Sequence, residues 1–167
     1  AVVSSEDMTR FDMSLPSGGN SGEYYFLPST NRLIGEVDVI NIDSWHKRMG
    51  CEMDIRLIKV DVEGAEESVL HTCQELIGKY KPILYVEICR SHLDRFNSSV
   101  GDIEEILGKH GYHYFRNIGP RNSANDNFRI ARMNSINEGG SFFDVLAVHP
   151  SDDRYPRDAE KEWAVDK

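Results

Sequence analysis

Positive charge is scarce in this chain. Nineteen Lys and Arg stand against 28 Asp and Glu, for a formal net charge of −9 over 167 residues. A broad nucleic-acid or anionic-membrane surface needs the opposite sign, so neither partner is expected. Arg116, Arg121, Arg129 and Arg132 gather in one region and read as a solvated loop. Long apolar runs are missing too. None approaches the roughly 18 residues of a membrane span, and no signal peptide opens the chain. Cysteine is rare: Cys51, Cys73 and Cys89 are an odd number at wide spacings. They form no C-x-x-C metal or redox spacing. A reducing, cytoplasmic setting fits this usage, with Cys73 and Cys89 as small core residues. An initial methionine is also lacking. The chain opens at Ala1-Val2-Val3, already apolar, and reads as a piece of a longer protein.

What is present suits one soluble domain with a real core. Apolar residues make up 40% and charged residues 28%. The alternation of Phe11, Met13 and Leu15 predicts a half-buried strand. Glu23 to Leu27 would be its antiparallel partner, across a loop from Pro16 to Gly22 that is rich in glycine and serine. Val37 to Ile42 reads as a short strand, followed by a helix capped by Asp43 and stopped by Gly50. Asp54 to Val60 is nearly continuous apolar sequence, of the kind found in parallel strands covered on both faces. Ala65, Val69, Leu70, Cys73, Leu76 and Ile77 then recur at helical spacing as one buried stripe ending at Gly78. Ile83 to Ile88 is a second buried strand, which completes a βαβ unit. Ser99 and Asp102 predict a capping box before the apolar face of Val100, Ile103, Ile106 and Leu107. Gly111 stops that helix, and Tyr112 to Ile118 is a third strand. Gly119 to Gly140 reads as a long polar connection, functional or disordered, Phe142 to Val148 as the last strand. The expected division is an α/β domain over 1–150 and a charged tail over 151–167, with a marginal helix from Asp158 to Val165.

The chain's chemistry concentrates in Leu57-Ile58-Lys59-Val60-Asp61-Val62-Glu63-Gly64-Ala65-Glu66, an apolar strand running into an acidic turn that opens a helix. In open α/β sheets, ligands bind outside the carboxyl ends of the strands. Asp61, Glu63 and Glu66 would serve there as helix caps, as a base or polar contact, or as hard oxygen ligands for a metal. Lys59 lies two residues before Asp61 and shares its face. An ammonium in an apolar strand needs a partner, and Asp61 and Glu87 are the candidates. His46 and His92 are the histidines available for proton transfer or substrate contact.

The run from Ile58 to Glu66, then Val69-Leu70, then Lys81-Pro82-Ile83-Leu84-Tyr85-Val86-Glu87, resembles the FkbM family of S-adenosylmethionine-dependent methyltransferases. Val39-Ile40-Asn41-Ile42-Asp43-Ser44-Trp45 resembles the family's segment just upstream, and Phe143 to Val148 its last strand. The similarity extends over about residues 37 to 148. The resemblance implies a partial Rossmann-like methyltransferase sheet of mostly parallel strands with flanking helices, preceded here by an N-terminal β ribbon. It implies methyl transfer from S-adenosylmethionine, commonly to a hydroxyl oxygen of a small molecule or glycan. By the resemblance Asp61, Glu63 and Glu66 belong to the family's signature turn and Glu87 to the end of the neighbouring strand. With the reading of the residues themselves, Asp61, Glu63, Lys59 and Glu87 are the catalytic candidates, Glu66, His92 and His46 the substrate contacts, and no metal is expected. The family binds its cofactor mainly through an upstream half with a glycine-rich turn, and Ser17 to Gly22 does not replace it. The chain is therefore expected to be the C-terminal half to two-thirds of such an enzyme, with a sheet edge that a second copy could cover. The rival readings are a metal-dependent glycosyltransferase using Asp61-Val62-Glu63 and a non-catalytic assembly module.

Overall fold

The computed structural model describes residues 10–15, 32–38, 40–50, 54–118 and 129–159. A two-stranded antiparallel ribbon comes first, β1 (Arg10–Leu15) and β2 (Arg32–Asp38), with its register shifting between Met13 and Ser14. The predicted ribbon is present, but β1 pairs with β2; the Glu23 to Leu27 segment lies outside the described residues. The strand expected over Val37 to Ile42 ends at Asp38, and helix α1 (Ile42–Met49) already begins at Ile42. Its cap is Asn41, whose side-chain oxygen accepts the Ser44 N–H at 2.9 Å. Gly50 closes it in the left-handed conformation, φ 59°.

The main body is a five-stranded sheet with flanking helices. In chain order it comprises β3 (Leu57–Val60), α2 (Glu66–His71), α3 (Gln74–Tyr80), β4 (Ile83–Cys89), α4 (Arg90–Leu93), α5 (Val100–Lys109), β5 (His113–Asn117), β6 (Ile130–Met133) and β7 (Phe142–Val148). The strand order is β3-β4-β7-β5-β6. The α/β class is as expected, but the mostly parallel sheet is not. Only β3 and β4 pair in parallel; β4–β7, β7–β5 and β5–β6 are antiparallel. The last strand inserts between β4 and β5 running against both, and β6 folds back along β5. The apolar run at β3 does pair in parallel with β4, but it is not covered on both faces: this outer strand leaves Leu57 and Lys59 exposed.

The buried stripe from Ala65 to Ile77 is all in the core, but as two helices. At the break, the Thr72 hydroxyl donates to the Val69 carbonyl at 2.8 Å, a back-bond that bends helices. The freed N–H groups of Glu75 and Leu76 donate to the Asp43 carboxylate at 2.9 and 3.0 Å. Asp43 is thus a helix cap, but for α3 rather than for its own helix. Replacing Asp43 by alanine removes a cap worth about 1 kcal/mol, and thermal unfolding should show the loss, smaller for Asp43→Asn. The second helix runs past Gly78 to Tyr80, and Lys81 ends it at φ 49°.

Helix α5 has its predicted capping box, with Ser99 N–H donating to Asp102 at 2.8 Å. Its four apolar residues are buried, and Gly111 follows it at φ 76°. One face of the sheet packs against α2, α3 and α5 through Val60, Leu84, Val86, Ile88, Val145 and Ala147. Cys73 sits in this core, where burial pushes its thiol up to about 12. On the other face Phe115 and Val148 pack with Tyr155 and Ala159 from the segment after β7. Arg154 pins that segment, bonding Asp152 at 2.7 Å and the Arg56 carbonyl at 3.0 Å. The span from Gly119 to Gly140 is not one open connection, because β6 and a short 3-10 turn, Ile136–Glu138, occupy its second half. Arg116 and Arg132 stand half-buried on β5 and β6 rather than in a solvated loop. Among the described residues no helix is long and apolar enough to cross a membrane.

Candidate active site

Strands β3 and β4 run in parallel with Lys59 level with Tyr85 and Val60 with Val86. Their carboxyl ends therefore emerge side by side. After β3 comes the turn from Asp61 to Ala65, and after β4 comes α4, which carries His92. The two meet closely. Gly64 has φ 112°, and a Cβ there would lie 2.4 Å from the His92 carbonyl oxygen. Only glycine permits both that angle and that approach.

Side chains converge on this junction. Carboxylate oxygens of Asp61, Glu63 and Glu87 all lie within 4.8 Å of one another. Lys59 donates to Asp61 at 2.7 Å. This bond, then the charge of Asp61, and further off those of Glu87 and Asp144, hold the ammonium above its ordinary range. Glu63 Oε2 lies 2.9 Å from His92 Nδ1. Glu66 turns inward and is only 3% exposed. Its Oε1 accepts the N–H groups of Gly64 at 3.0 Å and Val62 at 3.2 Å. Burial raises its pKa, against those same N–H bonds, which favour the ionised form.

Of the seven candidates from the sequence, Lys59, Asp61, Glu63, Glu66, Glu87 and His92 come together. His46 does not: it lies on α1, edge-on to the Tyr80 ring, in a pocket of about 230 Å³ with Asp43, Lys47 and Glu75. One residue at the site was overlooked. Asp144 on β7 stands opposite Glu87 in the antiparallel register, and its charge reaches Lys59. An acid inside the apolar run Phe142 to Val148 was the available signal, of the same kind that singled out Lys59.

Three carboxylates this close offer hard oxygen ligands of the sort that suit magnesium, calcium or manganese. Lys59 already offsets part of that charge. The same negative field suits a sulfonium-bearing cofactor beside it. No glycine-rich strand-to-helix turn for an adenosine group occurs among the described residues, where β3 is an outer strand of the sheet. The described residues thus bring three carboxylates together without a glycine-rich cradle beside them.

Comparison with family models matches residues 4–114 to the methyltransferase FkbM domain. The match opens well upstream of the resemblance seen over residues 37 to 148, and it ends inside β5. No curated protein and no solved structure matches the chain. With more than half of its length matched, the chain belongs to the FkbM methyltransferase domain family.

Proposed function

We propose that this chain carries the acceptor side of an S-adenosylmethionine-dependent methyltransferase acting on a hydroxyl oxygen. The observation that supports it is the convergence of Asp61, Glu63 and Glu87 at the adjoining carboxyl ends of β3 and β4. When bound, the cofactor supplies a methyl group on a positively charged sulfur, open to attack by oxygen. The chain's own residues handle the acceptor. A hydroxyl entering the cluster donates its hydrogen to Asp61 or Glu63, which fixes the direction of its lone pairs. The carboxylate takes the proton as the oxygen acquires its new bond, so no charged oxonium is left. Lys59 keeps Asp61 oriented through the 2.7 Å bond. Holding the hydroxyl in line contributes much of the acceleration in such a reaction.

Titration calorimetry with S-adenosylmethionine tests the cofactor part. Saturable binding supports the proposal, and the absence of heat at millimolar ligand turns the assignment to a fragment without its cofactor half or to a non-catalytic module. The same carboxylate convergence also favours one other reading, metal-dependent glycosyl transfer. Manganese-dependent binding of a sugar nucleotide would select it.

A further inference from the structure

Glu66 takes no part in the proton transfer above, since at 3% exposure no acceptor reaches it. A carboxyl group buried this deeply resists ionisation, so its place at the site calls for a cause. Oε1 bonds the N–H of Val62 and the N–H of Gly64. Those two residues flank Glu63, whose φ is 57°. The left-handed region is unfavourable for a residue with a Cβ, and it persists where the surroundings impose it. Glu66 grips the main chain from inside on both sides of Glu63. From the other side, Gly64 presses against the His92 carbonyl, where a Cβ would find only 2.4 Å. The Glu63 side chain leaves this restrained backbone to place Oε2 2.9 Å from His92 Nδ1.

We propose that Glu66 is a positioning residue. Its buried oxygen clamps the Val62 and Gly64 N–H groups, imposes the left-handed conformation on Glu63, and so aims the Glu63 carboxylate at His92 and the strand-end cluster. The purpose of that aim rests on the methyltransferase reading; the clamp does not. Among the described residues the buried Oε2 has no hydrogen-bond partner, so Oε1 does the holding. Glutamine presents an equivalent oxygen on an arm of the same length, whereas aspartate withdraws it by one methylene.

The side-chain nitrogen NMR signals of His92, measured in the full chain, report on the carboxylate beside Nδ1. Glu63→Gln defines the spectrum of His92 without it. Glu66→Gln is expected to leave the His92 signals at the wild-type position. Glu66→Ala is expected to move them toward the Glu63→Gln position. If the alanine variant does not fold, Glu66→Asp serves in its place with the same expected displacement. His92 signals unchanged in the alanine or aspartate variant, while Glu63→Gln displaces them, would overturn the proposal. A stability cycle gives an independent reading. Glycine takes positive φ without steric cost, so in a Glu63→Gly background Glu66→Ala should lower Tm by only about half as much as in wild type. Equal losses in the two backgrounds would also overturn it. Neither measurement requires methyl transfer, so failure of the functional reading leaves the outcome intact.

Discussion

Gly64→Ala is expected to lower the melting temperature by about 10 °C, from a loss of roughly 3 kcal/mol at some 2–4 °C per kcal/mol for a chain of this size. The added methyl carbon would sit 2.4 Å from the His92 carbonyl oxygen, 2.7 Å from its carbon and 2.9 Å from Phe96 Cδ2. Two of the three obstacles are backbone atoms and cannot rotate away. The backbone at Gly64 adds its own cost, since φ 112° is a conformation L side chains avoid. Relief requires α4 to move away from the turn, which also separates Glu63 from His92. Gly50 is the natural control. It too has positive φ, at 59°, but among the described residues nothing lies within 4 Å of a Cβ there. Gly50→Ala should therefore cost only about 1 kcal/mol. Calorimetric melting of the two variants separates close approach from backbone strain. A Gly64→Ala protein melting no lower than the Gly50→Ala protein would contradict the contact between the two strand ends.

The site was more legible in the sequence than the sheet was. Lys59 stands next to acids at a strand end and pairs with the nearest of them, although its 60% exposed side chain is not compelled to by burial. Asp61 lies only two residues away, on the same face, so the pairing could be foreseen. The helical stripe from Ala65 to Ile77 was equally plain, because burial imposes its own period. Its interruption at Thr72 was not. That break is held by Asp43, which is distant in sequence, and no local pattern announces a cap supplied by another helix. Strand direction failed for a related reason. The run Phe142 to Val148 fits a buried strand of either sense. Its insertion between β4 and β5 is decided by which edges those strands leave open, a property of the assembled sheet. His46 lies away from the carboxylates, on α1, because a histidine's type says nothing of its address. His92 lies beside them because it follows β4 directly, where the chain must return past the acidic turn.

Asp61→Asn is expected to reduce methyl transfer by about 10²- to 10⁴-fold, the usual contribution of a positioned base, with the fold intact. Asparagine keeps the shape of aspartate and can still accept a hydrogen bond from a hydroxyl. It cannot take up the proton. Stability should change by less than about 1 kcal/mol, because the Lys59 and Asp61 side chains are 60% and 35% exposed and solvent screens such a pair. The substitution also removes one of three negative charges whose oxygens lie within 4.8 Å, which offsets the loss of the lysine's partner. Activity and stability therefore part company at this position, whereas at Gly64 they fall together. The comparison calls for two measurements on the same preparation: Tm, and product formation from S-adenosylmethionine with a hydroxyl acceptor that the unmodified protein turns over. Activity within tenfold of wild type would remove Asp61 from the chemistry and leave Glu63 as the carboxylate to test next. A fall in activity matched by a fall in Tm would make Asp61 a structural partner of Lys59. Only a large loss of turnover at unchanged Tm fits a carboxylate that touches the reacting hydroxyl.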